Sequence, residues 1–221
     1  GYEPFIATGR SSAETRDIME SANIHSGIFM NGQVVLYRDQ LVYSSEIPTE
    51  TVEKFHQMVK EDGYGLTAYN DKQFYLVASS PGAKDAYGFI HSNPPALNPD
   101  FYKENPINMM LFISLPPAEE KYKVAFPNLD FLRNTPYSVD VISKGNSKAE
   151  GIKRFLEHLN QEDAKTYAFG DGPNDIEMLQ AVSHPVAMGN ALPILKEIAE
   201  FITTDNTDNG IVNGLKHYGL I

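Results

Sequence analysis

The chain has no cysteine among its 221 residues. This absence excludes disulfide frameworks, thiolate zinc sites and cysteine nucleophiles. The sequence also lacks a basic-then-apolar signal pattern at its start, and none of its apolar runs approaches the roughly 18 residues that a membrane-spanning helix needs. A cytoplasmic protein is therefore the default expectation.

Positive charge is scarce as well. Eighteen Lys and Arg residues stand against 29 Asp and Glu residues, which gives a formal net charge of −11. Such a surface repels phosphate backbones and anionic lipids, so we expect neither nucleic acid nor a membrane as a partner. An acidic protein that handles a phosphorylated substrate needs local positive charge or a bound cation. The sequence leaves the oligomeric state open.

Several common site patterns are missing too. There is no Gly-x-Ser-x-Gly, phosphate-loop or Gly-x-Gly-x-x-Gly motif, and the six histidines show no metal-ligand spacing. Residues 205–210 hint at a calcium loop, but Thr207 occupies the third loop position and Lys216 the closing position. We interpret this segment as a loop that leads into the last helix.

The two ends of the chain share one pattern, in which short apolar strands alternate with amphipathic helices. This rhythm predicts parallel βαβ units with helices on both faces of the sheet. Residues 31–32, Asn-Gly, predict a hairpin, and Ser11 with Glu14 predicts the start of a helix. Residues 138–142 are predicted as a strand of the same core. The middle of the chain mixes strands, helices and a Pro- and Asn-rich loop. We therefore predict an α/β core formed by residues 1–35 and 137–221, and an inserted α+β unit formed by residues 36–136.

The most specific stretch is Gly-Asp-Gly-Pro-Asn-Asp at residues 170–175, between a predicted strand and a helix. Asp171 follows the carboxyl end of the strand, where open α/β sheets bind ligands. Asp175 lies one helical turn further along. Two carboxylates placed in this way suit Mg²⁺, which prefers oxygen ligands and retains several waters. The same residues also suit a plain turn followed by a helix N-cap, so this alternative stays open.

Two further places carry candidate phosphate-binding residues. Thr8 follows the first predicted strand, and its hydroxyl with the backbone N–H of Gly9 would form a small anion cradle. Taken alone, this segment is equally a turn into a helix. Lys148 lies at the start of a predicted helix, where a positive charge opposes the helix dipole. A phosphate or a carboxylate nearby would compensate that charge, although a solvated surface lysine is the simpler interpretation.

In their chain order, these elements resemble motifs two, three and four of the haloacid dehalogenase superfamily, most closely its Cof-type group with a C2 cap. The matching stretches are residues 5–10 (Phe-Ile-Ala-Thr-Gly-Arg), 31–32, 144–148 (Lys-Gly-Asn-Ser-Lys), 170–179 and 186–191. The resemblance covers nearly the whole chain. It implies a Rossmannoid parallel-sheet core with an inserted C2-type cap, and Mg²⁺-dependent hydrolysis of a small phosphorylated substrate.

The resemblance also implies roles for individual residues. Thr8 and Gly9 would hold the phosphoryl oxygens with help from Asn174, while Arg10 and Asn31 would contact the substrate.

The same resemblance also implies which charged residues take part in catalysis. Lys148 would neutralise the attacking aspartate and the transferred phosphoryl group. Asp171 would bind Mg²⁺, and Asp175 would complete the metal's shell. This division agrees with what phosphoryl transfer requires, namely positioning and the neutralisation of spread charge.

The sequence departs from the family pattern in one respect. The motif Asp-x-Asp-Gly-Thr, which supplies the nucleophile in the family, does not occur in these residues. We expect it upstream, since the sequence begins with Gly1 rather than Met. A phosphomutase of the same superfamily is the alternative within enzymes. A non-catalytic domain that binds a phosphorylated ligand is the alternative if the chain is complete.

Overall fold

The computed structural model describes residues 2–221. The first part of the chain contains, in order, β1 (Ile6–Ala7), α1 (Ser12–Ala22), β2 (Gly27–Phe29), β3 (Val34–Tyr37) and β4 (Gln40–Ser44). The four strands form one sheet in the order β1-β2-β3-β4. β1 and β2 are parallel, whereas β3 is antiparallel to both β2 and β4. The predicted βαβ start of the chain is therefore confirmed.

The entry into α1 explains how the chain leaves β1. The side chain of Ser11 accepts a hydrogen bond from the backbone N of Glu14 at 3.3 Å, and Glu14 Oε2 accepts one from the backbone N of Ser11 at 2.8 Å. This reciprocal capping box, which the sequence predicts, satisfies two N–H groups that a helix start leaves without partners. The helix ends at Asn23 in a left-handed conformation. The chain then returns so that β2 lies beside β1.

The hairpin predicted at Asn31-Gly32 is also confirmed, but its loop spans residues 30–33 rather than two residues. Met30, Asn31 and Gly32 all have positive φ, at 49°, 53° and 93°. The backbone at Gly32 approaches α6 (Lys148–Leu159) so closely that a Cβ there would overlap the carbonyl oxygen of Ser147. The hairpin loop is therefore pressed against the start of that helix.

The middle of the chain forms a second sheet. Its elements are α2 (Thr49–Asp62), β5 (Gly65–Tyr69), β6 (Phe74–Ala78), α3 (Ala83–Phe89), α4 (Phe101–Glu104), β7 (Met109–Ile113), α5 (Glu119–Ala125), β8 (Leu129–Thr135) and β9 (Ser138–Ser143). The strands are antiparallel throughout and follow the order β6-β5-β7-β9-β8. This α+β unit is the segment that we call the cap.

The position of β9 corrects the predicted organisation. Residues 138–142 were assigned to the core, but β9 pairs with β7 and β8 in the cap sheet, so this assignment is wrong. The reason is the tight connection at residues 136–137, which makes β8 and β9 a hairpin and hence antiparallel neighbours. β4 likewise pairs with β3 in the first sheet, so residues 36–44 do not belong to the cap. We propose domain boundaries near residues 45 and 144 instead of 35 and 137.

The two faces of the cap sheet have different environments. Val139 and Val141 belong to a buried cluster that includes Val52 and Phe55 of α2. Ile142 points the other way and packs with Phe29 in a cluster that joins the cap to the first sheet. Because successive side chains of a strand alternate between faces, Asp140 lies on the same side as Ile142. The cap therefore presents one face to its own helices and the other to the core.

The chain crosses between core and cap twice, and the two crossings lie side by side. Asn146 Nδ2 donates hydrogen bonds to Ser45 Oγ at 3.4 Å and to Ser143 O at 3.0 Å. From the cap, Asn108 Nδ2 donates to the carbonyl oxygen of Ser45 at 2.7 Å. These bonds tie the outgoing and returning segments to one another.

The last part of the chain restores the alternation of helix and strand. It contains α6, β10 (Tyr167–Gly170), α7 (Ile176–Ala181), β11 (His184–Ala187), α8 (Pro193–Ile198), β12 (Phe201–Ile202) and α9 (Gly210–His217). β10, β11 and β12 form a parallel sheet in that order, as the alternation predicts. Within residues 2–221, none of these helices combines the length and apolar character that crossing a bilayer requires.

The close approach at Gly32 gives a prediction about stability. Gly32→Ala should destabilise the protein by about 3 kcal/mol or more, because the new methyl group must displace the start of α6. Gly63→Ala is the matched control, since Gly63 also has positive φ, at 75°, but has open space around its Cα. We expect it to cost only about 1–2 kcal/mol. Urea unfolding of both variants measures the difference, and equal losses would contradict the packing described.

Candidate active site

Most of the candidate residues lie at one edge of the molecule because each follows a strand or begins a helix. Thr8 follows β1 and Asp171 follows β10, and the carboxyl ends of parallel strands are where α/β sheets present their sites. Lys148 is the first residue of α6. The side chains that come together from these elements make the site.

A buried ion pair is the central contact of the site. Lys148 Nζ lies 2.6 Å from Asp175 Oδ1. Only 6% of the surface of Lys148 and 5% of that of Asp175 is exposed. Asp175 Oδ2 accepts hydrogen bonds from the backbone N of Asp171 and of Gly172, both at 3.0 Å. Ser147 caps the helix and fixes where Lys148 begins it. The carboxylate that compensates Lys148 is therefore Asp175.

This arrangement bears on the role expected for Asp175. Both of its oxygens are already engaged by donors of the chain, so the carboxylate holds Lys148 and shapes the loop. Gly170 supports this geometry, because a Cβ there would lie 2.7 Å from Asp175 Cβ. The metal-ligand role expected from the sequence is thus less suited to Asp175 than to Asp171.

Asp171 has a more open environment. It is exposed, and its Oδ2 accepts a hydrogen bond from Asn190 Nδ2 at 2.9 Å. Its other carboxylate oxygen has no hydrogen-bond donor among residues 2–221. Within that range, no group of three or more His, Asp or Glu side chains is gathered as a metal cage. Mg²⁺ commonly uses one or two carboxylates and fills its remaining positions with water and substrate oxygens. Asp171 fits such a partly hydrated ion.

Residues 8–10 form a loop with free donors. The backbone N of Thr8 donates to Ile28 O at 2.8 Å, and Thr8 Oγ1 accepts a hydrogen bond from the backbone N of Arg10 at 3.1 Å. The hydroxyl proton of Thr8 and the N–H of Gly9 have no acceptor among the described residues. They can therefore bind an anion, as the sequence predicts for this turn. Arg10 is exposed at the edge of the loop.

A row of side-chain amides runs from the core into the cap. Asn174 Nδ2 donates to Asn31 Oδ1 at 3.1 Å, and Asn31 Nδ2 donates to Asp140 Oδ2 at 3.0 Å. Asn134 Nδ2 also donates to Asp140 Oδ2, at 3.0 Å. A Cβ on Gly9 would come within 3.2 Å of both Asn31 Nδ2 and Asp140 Oδ2. Asn31 is thus engaged on both sides, which suits a positioning role better than the predicted contact with substrate.

A cavity of about 180 Å³ lies between the loop at residues 8–10 and the inner face of the cap. Thr8, Gly9 and Arg10 line its core side, while Asp140 and Asn134 line its cap side.

Asp140 is surrounded largely by apolar strands, and burial raises its pKa from 3.8 to about 6, although the hydrogen bonds from Asn31 and Asn134 oppose the rise. No motif in the sequence singles out Asp140. The signal that could have found it is a single acidic residue at the centre of the apolar strand Ser-Val-Asp-Val-Ile-Ser.

Comparison with known proteins assigns the family. The family model for haloacid dehalogenase-like hydrolases matches residues 1–215. The chain belongs to this family. It is 37% identical over 222 residues to YkrA of Bacillus subtilis, provisionally named a phosphatase, and the match covers all of this chain and 86% of YkrA.

Similarity to solved structures agrees with this assignment. A hypothetical protein from Geobacillus kaustophilus HTA426 superposes with a TM-score of 0.91 at 32% identity, covering 98% of this chain and 85% of that one. The subclass IIB sugar phosphatase BT4131 gives a TM-score of 0.85 at 27% identity, covering 100% of this chain and 87% of that one. The predicted Cof-type membership and the α/β core with an inserted cap are confirmed.

The structure thus brings together most, but not all, of the residues predicted for the site. Lys148, Asp171 and Asp175 form one hydrogen-bonded group, and Asn31 and Asn174 are in direct contact. The backbone N of Asn31 donates to Thr8 O at 3.1 Å, which joins the amide row to the loop at residues 8–10. The guanidinium of Arg10 has no hydrogen-bond acceptor among residues 2–221 and borders the cavity instead.

The buried ion pair makes a prediction that urea unfolding can check. Lys148→Ala should lower the free energy of unfolding by about 3 kcal/mol, because Asp175 would keep a buried charge without its cation. Lys144→Ala is the control, since Lys144 is exposed nearby and its Nζ donates only to Pro127 O, at 3.3 Å. That variant should change stability by less than about 0.5 kcal/mol. If the two variants were equally stable, the ion pair between Lys148 and Asp175 would not be formed in solution.

A second prediction concerns pH. Burial raises the pKa of Asp140 from 3.8 to about 6. Ionisation of Asp140 therefore lowers the free energy of unfolding as pH rises from about 4 to about 6. Asp140→Asn removes this charge and leaves an amide oxygen that can accept from Asn31 and Asn134. The variant should therefore be more stable than the parent by about 1–3 kcal/mol at pH 7.5. Thermal unfolding across this range should show the gain shrinking towards pH 4, whereas a gain independent of pH would contradict the assignment.

Proposed function

We propose that this protein is a Mg²⁺-dependent phosphatase that hydrolyses a small phosphorylated metabolite, either a sugar phosphate or a phosphorylated cofactor. The reaction would pass through an aspartyl-phosphate whose aspartate lies upstream of these residues. The observation that carries the proposal is the buried Lys148–Asp175 pair beside Asp171, at the same edge as the donors of Thr8 and Gly9. Membership in the hydrolase family and the likeness to the sugar phosphatase BT4131 support it.

Lys148 provides the positive charge that an acidic protein needs for this chemistry. Its ammonium has three donors, and Asp175 uses one of them at 2.6 Å. The other two are available for a carboxylate nucleophile and a phosphoryl oxygen. Because Asp175 also binds two backbone amides, it fixes the direction in which the ammonium points. A lysine held in this way can neutralise the charge that develops during phosphoryl transfer without having to reorganise.

The loop at residues 8–10 provides neutral donors for the same group. Thr8 would donate its hydroxyl proton, and Gly9 its backbone N–H, to the phosphoryl oxygens. Asn174 donates to Asn31 at 3.1 Å, so its amide plane is fixed, and its second N–H remains for the phosphoryl group. Arg10, at the mouth of the cavity, would contact the outer part of the substrate. Asn31 acts by holding Asn174 in place.

Asp171 is the residue that would hold Mg²⁺, with Asn190 orienting its carboxylate through the bond at 2.9 Å. A bound Mg²⁺ would neutralise part of the negative charge on the phosphoryl oxygens. Asp175 contributes indirectly, since its contacts to the backbone N of Asp171 and of Gly172 set the position of the loop.

The alternatives are separable by simple measurements. Release of inorganic phosphate from an aryl phosphate favours a phosphatase over a phosphomutase. An intact mass a few kDa above the 24.6 kDa of these residues would support the expected additional segment. Binding of a phosphorylated ligand without any turnover in the full-length protein would favour the non-catalytic alternative.

The metal assignment predicts the effect of Asp171→Asn in the full-length protein. Phosphate release should fall on the order of 100-fold, because Mg²⁺ prefers a charged oxygen ligand at this position. Thermal stability without metal should stay level or rise, since the change removes one of two neighbouring negative charges. Calorimetry with Mg²⁺ should show the matching loss of affinity. Asp163→Asn is the control, an exposed aspartate in the loop after α6. If Asp171→Asn bound Mg²⁺ and turned over like this control, the assignment would be wrong.

A further inference from the structure

The hairpin between β8 and β9 borders the candidate site but is irregular near its turn. The pairing register shifts between Leu132 and Thr135. Two residues of β8, at positions 133 and 134, therefore lie opposite the single residue Val139 of β9. Such a bulge interrupts the ladder of backbone hydrogen bonds and re-aims the side chains at that point. Strand pairing alone therefore does not fix Asn134, which lines the cavity between core and cap.

Arg133 supplies contacts that the interrupted ladder lacks. Its Nη1 has three carbonyl acceptors, which are Ser114 O at 3.1 Å, Thr135 O at 3.3 Å and Pro136 O at 3.1 Å. Ser114 directly follows β7, and its backbone N donates to Tyr137 O at 3.0 Å. One guanidinium nitrogen thus ties the turn of the hairpin to the end of another strand of the cap sheet.

Glu119 of α5 holds the guanidinium in this position. Arg133 Nε and Nη2 donate to Glu119 Oε1 and Oε2, both at 2.7 Å, which is a bidentate pair. Only 19% of the Arg133 side chain and 9% of the Glu119 side chain are exposed. The hydrogen bonds from Arg133 lower the pKa of Glu119, so the carboxylate stays charged. A planar guanidinium bound along one edge by a carboxylate has a fixed direction along its other edge.

The backbone that Arg133 holds carries three side chains at the cavity, those of Asn134, Thr135 and Ser138. Asn134 is next to Arg133 in the bulge, and its Nδ2 donates to Asp140 Oδ2 at 3.0 Å. Thr135 Oγ1 accepts a hydrogen bond from the backbone N of Ser138 at 3.0 Å, which closes the turn. Movement of the turn would therefore displace all three groups together.

We propose that Arg133 is a positioning residue of the site. With Glu119 it fixes the backbone of the hairpin at residues 134–138 and thereby places Asn134, Thr135 and Ser138 at the cavity. Arg133 does not line the cavity itself, so it acts through the hairpin. The inference deepens the proposed function, on which its consequence for turnover rests.

A general contribution to the stability of the cap is the competing account. Val52→Ala is the matched comparison, because Val52 is fully buried in α2 and belongs to neither the hairpin nor α5. Deleting its methyl groups loosens the packing of the cap but leaves the contacts of Arg133 in place. A purely structural role for Arg133 predicts the same behaviour in both variants.

Hydrogen exchange followed by NMR tests the position of the hairpin in Arg133→Lys. Lys keeps the charge that Glu119 needs, but its single ammonium cannot reproduce the planar set of contacts. The amides of Tyr137 and Ser138 donate to Thr135 Oγ1 and should exchange about tenfold faster in the full-length variant. In Val52→Ala their rates should change by less than about threefold, because opening of the turn is local.

Turnover of p-nitrophenyl phosphate tests the consequence for the site. Arg133→Lys should lower kcat/KM on the order of tenfold at a temperature well below its unfolding transition, because the displaced side chains no longer line the cavity correctly. Val52→Ala should lower it by less than about threefold. In an Asn134→Ala background, Arg133→Lys should have a much smaller effect, since one of the groups that it positions is already absent.

A paired change keeps the inference testable where Arg133→Lys does not fold. Arg133→Met combined with Glu119→Leu removes both buried charges together, which proteins tolerate better than the loss of one partner. This variant should show the same faster exchange of Tyr137 and Ser138 and the same loss of turnover.

Failure of the inference and failure of the proposed function have different signs. A parent protein that hydrolysed no phosphate ester would refute the proposed function, and the exchange rates at Tyr137 and Ser138 would still decide the inference. Exchange rates equal to those of the parent, in Arg133→Lys or in the paired variant, would overturn it. So would equal losses of turnover in Arg133→Lys and Val52→Ala, or effects of Arg133→Lys and Asn134→Ala that simply add.

Discussion

The buried contact between Lys148 and Asp175 is the interaction on which the rest of the site depends. It joins the first residue of α6 to the loop after β10, two segments that otherwise meet only through packing. Charges in this environment are stable only as a pair, so neither side chain can leave without a large energetic cost. The pair therefore fixes the position of α6, and the hairpin loop at Gly32 packs against that helix start. The loop after β10, the start of α6 and the hairpin loop are thus held together by one ion pair and the packing around it.

The charges of the site follow a gradient. An ammonium and several N–H donors lie where a phosphoryl group would sit, and a single unpaired carboxylate lies on the facing cap strand. The amide row from Asn174 through Asn31 to Asp140 connects the two ends without adding charge. A phosphate ester bound at the donors would therefore meet a carboxylate on the cap side of the site. This separation of charge would orient a phosphate ester in one direction.

Local patterns were enough to predict most of the fold and much of the candidate site. The helix over 148–159, the parallel order of β10 to β12 and the capping box at Ser11 all follow from periodicity and turn chemistry. The assignment of β9 failed because strand pairing is a non-local property. The residues of an apolar strand do not show which sheet the strand joins. Asp140 was missed for the same reason. The burial of both faces of its strand becomes visible only once the cap has folded over the core.

The two chain crossings, tied together by Asn146 and Ser45, have a mechanical consequence. Two connections joined at a single place would act as one hinge, about which the cap would swing rather than slide over the core. Swinging outwards would pull Asp140 away from Asn31 and break the amide row at that bond. Admission of a ligand and correct placement of Asn174 would then be mutually exclusive states of the same motion. The polar groups would be fully aligned only while the cavity is shut.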